Sequence, residues 1–139
     1  MTALDQAIAA AFNSEGKQED VNKVYLTLVQ SSLFVPVKNK DPALNHIDEQ
    51  NPFSPLFAKI EGRYFMLVFD LLERLTAWAG DHLNEIDYVE ISGRDVIAGI
   101  NEDVFLCLNM GTAFYKEFSP DEIKRLKMIV SRILQMKNG

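Results

Sequence analysis

Two short polar segments carry the residue types that could bind a ligand or take part in chemistry. One is Ser92–Asp95, with the sequence Ser-Gly-Arg-Asp, and the other is Asn109–Thr112, with the sequence Asn-Met-Gly-Thr. Each is expected at the end of a strand, so a sheet that brings the two ends together would let Arg94, Asn109 and Thr112 line one polar cleft. The candidate ligand- or partner-binding residues are Arg94, Asp95, Asn109, Gly111 and Thr112.

Both segments also have an ordinary structural explanation. Ser92 is a good N-cap for a short helix, and Asp95 in its first turn suits the helix dipole. Asn109 and Gly111 supply the unusual backbone angles that a tight turn requires. The sequence alone leaves both explanations open.

No catalytic or metal-binding pattern is recognisable elsewhere in the chain. The two histidines, His46 and His82, are not at ligand spacing. Cys107 lies in an apolar strand-like run, on the face opposite its leucine neighbours, and is expected to be buried and inert. Gly93 and Gly99 do not form a nucleophile elbow, and glycine-rich phosphate motifs are absent. We therefore expect no catalytic residue, no metal and no cofactor, although enzyme activity stays an open alternative.

The composition bounds the class of protein. A chain of 139 residues with 47% hydrophobic residues predicts one globular domain over 1–139. A net charge of −6 argues against nucleic-acid binding, which depends on lysine and arginine contacts with phosphates. The chain has no apolar run of about 18 residues that would predict a membrane span. A single cysteine and an N-terminus without a signal-peptide pattern predict a cytoplasmic location.

Charge is unevenly distributed along the chain. The stretch 81–103 is acidic, with Arg94 as its one basic residue, and 120–139 is basic. An acidic stretch of this kind is either an ordinary solvated face or a docking surface for a basic partner protein. We keep both interpretations.

Periodicity predicts helices at both ends of the chain. The residues Thr2–Phe12 have helical spacing but a thin apolar face, so the N-terminal segment 1–17 is expected to dock loosely or to pack on a second copy in a homodimer. A second helix is expected over Glu19–Ser31. Near the C-terminus, Ser119-Pro120-Asp121-Glu122 is a capping box that starts a helix running to about Lys137.

Strand-like runs fill the middle of the chain. A hairpin is predicted over Pro55–Phe69, followed by a short helix that Asp70 caps. Further strands are expected over 88–91, 104–109 and 113–118, and a long loop over 38–54. The expected fold is a single α+β domain in which helices flank a mixed sheet of about five strands.

Three segments also form a familiar succession of core and turn patterns. They are Leu-Phe-Val-Pro-Val at 33–37, the run 62–70 that begins Gly-Arg-Tyr and ends Val-Phe-Asp, and Leu-Glu-Arg-Leu at 72–75 followed by Trp78. This order resembles the N-terminal domain of the enhanced serine sensitivity (SseB) family, over roughly residues 21–133.

The turn at 109–111 is similar to the Asn-Pro-Gly turn of that family, with Met110 in place of proline. The chain also has Asp70-Leu71 where the family usually has Thr-Ser. The resemblance implies a bacterial α+β domain with no assigned reaction. The expected function is a non-enzymatic binding or regulatory module. The alternatives are a small-molecule-binding protein or enzyme that uses the Arg94/Asn109 cleft, and a secretion-associated adaptor.

Overall fold

The computed structural model describes residues 2–38, 57–81 and 86–138. The helices over these ranges are α1 (Ala3–Asn13), α2 (Gln18–Gln30), α3 (Leu72–Ala79), α4 (Gly93–Gly99) and α5 (Pro120–Asn138). The strands are β1 (Ser32–Lys38), β2 (Phe57–Ile60), β3 (Arg63–Val68), β4 (Ile86–Ser92), β5 (Val104–Leu108) and β6 (Lys116–Phe118). The α+β class predicted from the sequence is confirmed, and the described ranges contain six strands where about five were expected.

Two of the sequence predictions fall outside the described ranges. The loop predicted over 38–54 lies there, except for Lys38, which is the last residue of β1. His46 and His82 lie there as well.

The strands form two small sheets that one bridge connects. Strands β1 and β4 pair antiparallel with Val35 opposite Val89, and the second sheet has the order β2-β3-β5-β6. Phe34 and Phe69 join the two sheets by exchanging backbone hydrogen bonds of 2.7 and 2.9 Å. Because β3 and β5 run parallel and the other pairs run antiparallel, the strands form a mixed arrangement, as predicted.

The predicted hairpin is the antiparallel pair β2–β3, in which Ile60 lies opposite Arg63. Its turn residues Glu61 and Gly62 have φ angles of 52° and 79°, in the left-handed region that glycine adopts without strain. Strand β6 begins later than the predicted 113–118, because residues 111–114 form a turn instead.

Strand β3 is apolar on both faces because each face packs against a different core. Met66 and Val68 face the larger core, and Leu67 and Phe69 face the smaller one. Such two-sided burial is typical of an interior strand. Full burial of one leucine or phenylalanine side chain contributes about 2 kcal/mol, so the two cores supply most of the driving force for folding.

The larger core lies between the sheets and helices α1, α2, α4 and α5. Its fully buried members include Leu28, Leu106, Phe118, Ile123 and Leu126. The smaller core lies on the other side of β3 and β5, under α3.

In the smaller core, Leu75 and Cys107 are buried, and the Trp78 ring lies 5.6 Å from that of Phe69. Cys107 therefore points away from its leucine neighbours, as the alternation of the strand predicts.

Helix α1 is docked more tightly than its sequence indicates. Leu4 and Ala7 are 1% and 2% exposed and belong to the larger core. Thr2 caps the helix: its hydroxyl accepts from the Asp5 N–H, and the Asp5 carboxylate accepts from the Thr2 N–H, both at 3.0 Å. The expectation of loose docking missed Asp5, a charged residue that the structure buries completely.

Helix α4 begins where the sequence predicts, with Ser92 as its N-cap. Its first residue, Gly93, packs against the end of α2, and a Cβ added there would overlap the carbonyl group of Leu28. Only glycine allows this close approach of two backbones.

Helix α5 begins with the predicted capping box. The Glu122 N–H donates to the Ser119 hydroxyl at 3.3 Å, and the Ser119 N–H donates to the Glu122 carboxylate at 3.4 Å. Over the described part of the chain, no helix combines the length and the apolar character that crossing a bilayer requires.

Candidate functional site

The ends of the parallel strands β3 and β5 lie side by side and are tied together by Asn109. The Asn109 N–H donates to the Val68 carbonyl at 2.9 Å, and the Asn109 Oδ1 accepts from the Asp70 N–H at 3.1 Å. Ligands of sheet proteins often bind beyond the carboxyl ends of parallel strands. The polar groups at this edge are therefore the first candidates for a functional site.

Five residues at this edge form one connected network, which we call the Arg74 cluster. Arg74 donates two hydrogen bonds to the Asp5 carboxylate, at 2.8 and 2.7 Å, and one to Asp70, at 2.7 Å. The Thr2 hydroxyl donates to the other Asp70 oxygen at 2.7 Å. Asn109 completes the cluster through its bond to the Asp70 backbone. The cluster therefore ties the start of α1 to α3 and to the strand ends.

In the Arg74 cluster, one guanidinium group pairs with two carboxylates. Burial alone would raise the pKa of Asp5, but hydrogen bonds from Arg74 and Thr2 and the charge of Arg74 outweigh burial and hold that pKa below its ordinary value. The hydrogen bond from Arg74 to Asp5 in turn raises the pKa of the guanidinium. Arg74 also lies over the Phe114 ring, 5.0 Å from its centroid. The network thus keeps Asp5 and Arg74 ionised and paired.

This pairing limits what the cluster can do chemically. A general acid or base needs a pKa near the working pH and access to a substrate, and the Asp5 carboxylate has neither. Within residues 2–38, 57–81 and 86–138, no group of three or more histidine, cysteine or carboxylate side chains is placed to hold a metal ion. The cluster is organised to hold the fold together.

Three of the predicted site residues share one turn after β5. Asn109 is buried and has a left-handed φ of 57°, and Gly111 has a φ of 85°. The Thr112 hydroxyl donates to the Asn109 carbonyl at 2.9 Å. The Asn109 Nδ2 is buried without a hydrogen-bond partner. An unpaired buried donor is costly, so this amide has bonding capacity that a ligand could use.

The other two predicted residues, Arg94 and Asp95, lie in the first turn of α4. The Asp95 N–H donates to the Ser92 hydroxyl at 3.1 Å, and the two charged side chains approach to 3.9 Å. Over the described ranges, no hydrogen bond or ion pair connects Arg94 with the turn that contains Asn109. The capping role expected for Ser92 is confirmed, and the shared cleft of Arg94 with Asn109 and Thr112 stays a prediction.

Sequence reasoning missed the Arg74 cluster. It assigned Asp70 as the cap of α3, but the N-cap is Leu71, without a side-chain bond, and the Asp70 carboxylate binds Arg74 and Thr2 instead. The spacing of Asp70 and Arg74, four residues apart on one side of a helix start, was a usable signal. No sequence signal pointed to Asp5, because it lies 69 residues before Arg74 in the chain.

The environment of Cys107 does not activate its thiol. Burial raises the pKa of Cys107, which opposes formation of the thiolate nucleophile. The hydroxyl of Tyr115 lies 3.7 Å from Sγ and donates to Glu117 at 3.0 Å. Burial and these neighbours also raise the pKa of Tyr115 above its ordinary value. The pair therefore stays protonated near neutral pH.

An apolar groove opens between α1 and α2, on the helical face of the domain. Its volume is about 310 Å³. The side chains that line this α1–α2 groove are mostly apolar: Ile8, Ala11, Phe12, Val21, Val24, Tyr25 and Tyr115, with Lys116 and Glu122 at one end. Phe12 is 83% exposed, the most exposed large hydrophobic side chain over the described ranges.

A second groove, of about 260 Å³, lies between α2 and α5. Its lining combines amide, aromatic, apolar and guanidinium groups from Gln18, Asn22, Tyr25, Met128, Ile129, Arg125 and Arg132. We call it the α2–α5 groove. The Tyr25 side chain, whose hydroxyl donates to Glu122 at 3.0 Å, borders both grooves.

The described acidic side chains of the stretch 81–103 are exposed, although the stretch also contains buried core residues such as Val96 and Ile97. Its solvent-facing carboxylates belong to Asp81, Asp87, Glu90, Asp95, Glu102 and Asp103. The Ser32 hydroxyl donates to Glu90 at 2.8 Å.

The fold and these sites define the class of protein. It is an α+β domain with paired charges at its strand ends and open grooves between its helices. No curated protein and no solved structure matches the chain. The family model described as the SseB protein N-terminal domain matches residues 4–125, so the chain belongs to the SseB family. The match begins within α1 and therefore includes the residues that form the Arg74 cluster from Asp5 onward.

Proposed function

We propose that this SseB domain is a non-enzymatic interaction module, and that the α1–α2 groove is the place where a second copy of the chain docks. One observation carries the proposal: Phe12, 83% exposed, stands at the edge of an apolar groove of about 310 Å³. Exposed aromatic side chains beside apolar pockets are typical of protein interfaces.

The positions of Phe12 and the groove favour a symmetric dimer. In a two-fold dimer the same surface of both copies forms the interface, so each copy must offer an anchor and a receptor side by side. Phe12 is the anchor, and the apolar part of the groove, around Ile8 and Val21, is the receptor. Each copy would place its Phe12 in the groove of the other.

The polar groups support a binding rather than a catalytic role. The charged members of the Arg74 cluster pair with each other. The thiol of Cys107 is buried, and burial raises its pKa. Neither set of groups meets the requirement of an accessible, activated group.

The test is the mass of the protein in solution. Sedimentation equilibrium should show a concentration-dependent dimer for the wild type, and Phe12→Ser should shift it to monomer. Tyr64→Ser, which removes an exposed aromatic side chain from β3, is the matched control and should leave the dimer intact. A wild-type monomer at all concentrations, or equal effects of the two variants, contradicts the proposal. Point substitutions are preferable to deletion of α1, because Leu4 and Ala7 belong to the core.

A second candidate function is small-molecule binding at the Asn109–Thr112 turn, as a ligand site or an enzyme. The observation that favours it is the Asn109 Nδ2, a buried donor without a partner. We test it with a thermal shift screen of amino acids and nucleotides, because a ligand that binds only the folded state stabilises it. Stabilisation that Arg94→Ala abolishes would support the cleft predicted from the sequence. The absence of any shift at high ligand concentration would count against it.

A third candidate is a secretion-associated adaptor in the cytoplasm, in which the acidic stretch 81–103 binds a basic partner protein. It rests on the exposure of carboxylates such as Asp87 and Glu90. A basic helical peptide should bind in a salt-sensitive manner. Replacement of Asp87 and Glu90 by lysine should weaken this binding. Unchanged binding would exclude the acidic stretch as the docking surface.

A further inference from the structure

The α2–α5 groove has a charge opposite to that of the whole chain. The net charge of the protein is −6, yet the helix that forms one wall of the groove carries an excess of basic residues. They are Lys124, Arg125, Lys127, Arg132 and Lys137, against Asp121 and Glu122. A positive groove on a negative protein attracts acidic groups selectively, because nonspecific attraction to polyanions is opposed by the remaining surface.

Three side chains of α5 line the groove at regular helical spacing. Arg125, Met128 and Arg132 line the same groove, and Met128 lies between the two arginines along α5. The two arginines are seven residues apart, which corresponds to roughly 10 Å along a helix. Met128 is 57% exposed, an unusual exposure for a methionine and one that suits an adaptable apolar contact.

Both guanidinium groups are exposed, and Arg125 lies beside the Tyr25 hydroxyl, where it partly offsets the rise that burial causes in the pKa of Tyr25. Over the described ranges, neither Arg125 nor Arg132 forms an ion pair with a carboxylate. The nearby Glu122 is already engaged, because it accepts from the Tyr25 hydroxyl at 3.0 Å and pairs with Lys116 at 3.4 Å. The two arginines thus differ from Arg74, whose bonding capacity is used inside the protein.

The residues of α2 that form the opposite wall of the groove are polar and uncharged, whereas Glu19 and Asp20 of the same helix are not among the lining residues. Gln18 and Asn22 line it, and the Gln18 amide donates to the Asn22 oxygen at 2.8 Å. Amide side chains can donate to or accept from many polar groups, so this wall tolerates the backbone and polar face of a bound segment. Tyr25 and Ile129 supply the apolar floor.

We propose that the α2–α5 groove binds an acidic amphipathic helix of a partner protein. Such a helix would present carboxylates seven residues apart to Arg125 and Arg132 and an apolar side chain between them to Met128. Bidentate arginine–carboxylate pairs would fix its register, and the apolar contact would contribute affinity. This proposal does not rest on the dimer, since Phe12 and the lining of the α1–α2 groove contributed by α1 take no part in it.

The experiment measures binding of a designed probe by fluorescence anisotropy. The probe is a labelled helical peptide of about four turns, with glutamates at positions i and i+7 and leucines at i+3 and i+4. A peptide with glutamine in place of both glutamates is its control. We expect saturable binding of the acidic probe that weakens strongly as salt rises from about 0.05 to 0.5 M, and at least about tenfold weaker binding of the glutamine peptide.

Matched variants locate the binding surface. The double variant Arg125→Glu/Arg132→Glu should lower affinity for the acidic probe by about tenfold or more. Lys23→Glu/Lys124→Glu makes the same change in net charge at exposed positions that do not line the groove, and it should lower affinity by less than about threefold. Circular dichroism shows whether the double variant folds. If it does not, the single variant Arg132→Glu replaces it in the binding measurement.

Several outcomes would overturn the proposal. They are no binding of the acidic probe, equal binding of the glutamine peptide, or equal losses in the two double variants. Tighter binding of duplex RNA or of vesicles containing an anionic lipid, with the same sensitivity to Arg125 and Arg132, would assign the groove to another class of partner. The dimer is tested by sedimentation equilibrium with Phe12→Ser, not by peptide binding. Failure of the dimer proposal can therefore be distinguished from failure of the groove proposal.

Discussion

The Arg74 cluster and the α2–α5 groove both contain arginines and use them in opposite ways. Arg74 is 15% exposed and binds two nearly buried carboxylates at 2.7 Å. Arg125 and Arg132 line an open groove and, over the described ranges, pair with no carboxylate. A buried paired charge is expensive to disrupt, whereas an exposed charge contributes little to folding and remains available to a partner. The comparison separates residues that maintain the fold from residues that recognise something else.

The largest effect is expected from Arg74→Ala. This substitution leaves the buried carboxylate of Asp5 without its cation, so we expect a loss of about 3 kcal/mol in the free energy of unfolding. Arg94→Ala is the matched control. Arg94 is more exposed than Arg74 and lies 3.9 Å from the Asp95 carboxylate, so its substitution should cost less than about 0.5 kcal/mol. Urea denaturation measures both values. Similar losses would remove the distinction between buried and exposed arginines.

The next effect concerns Asn109, the link between the cluster and the strand ends. Asn109→Ala removes the bond to the Asp70 N–H and forces alanine into a left-handed φ of 57°, so we expect a loss of about 2 kcal/mol. Asn109→Gly loses the same bond but tolerates the backbone angle, and should be about 1 kcal/mol less destabilising. If alanine proved no worse than glycine, the backbone argument would be wrong.

The acid sensitivity of folding should depend on Asp5. Its pKa in the folded protein lies below the ordinary value of 3.8, so the unfolded chain binds the proton more readily. The ionised Asp5 carboxylate stabilises the folded protein fully at pH values above 3.8. This stabilisation is lost as the pH falls below 3.8 and passes the lowered pKa of the folded state. Asp5→Asn should therefore reduce the decline of unfolding free energy between about pH 5 and pH 3. Equal slopes for the two proteins in urea melts would show that Asp5 does not contribute.

The smallest effect on folding is expected in the α2–α5 groove. Arg132 is exposed at the surface of α5, so Arg132→Glu should change the free energy of unfolding by less than about 0.5 kcal/mol. Chemical denaturation of this variant beside Arg74→Ala makes the comparison directly. A loss as large as that of Arg74→Ala would mean that Arg132 has a structural partner and is not a free recognition residue.

Local signals predicted the parts of the fold that depend on neighbours in the chain. The Glu61-Gly62 turn, the Ser92 cap and the Ser119–Glu122 capping box are each determined within a few residues, and each is present in the structure. The turn at Asn109 likewise follows from residue types that accept left-handed backbone angles.

Long-range pairings could not be predicted in this way. Arg74 in α3 binds Asp5 in α1, 69 residues earlier in the chain, and no periodic sequence pattern indicates this contact. The same holds for the bridge of Phe34 to Phe69, which joins the two sheets. The sequence therefore indicated Asn109, Gly111 and Thr112 correctly as one turn, but it did not reveal the buried network beside them or the two helical grooves.

The most direct test of this account is chemical-shift mapping by NMR of the labelled domain titrated with the acidic helical probe. If recognition belongs to the helical face, the largest backbone shifts will lie along Gln18–Tyr25 and Arg125–Arg132, and those around Asn109–Thr112 will stay small. If the largest shifts instead lie around Asn109–Thr112 and Arg94, the strand ends are the binding site, and the division between structural and recognition residues drawn from the two sets of arginines is contradicted.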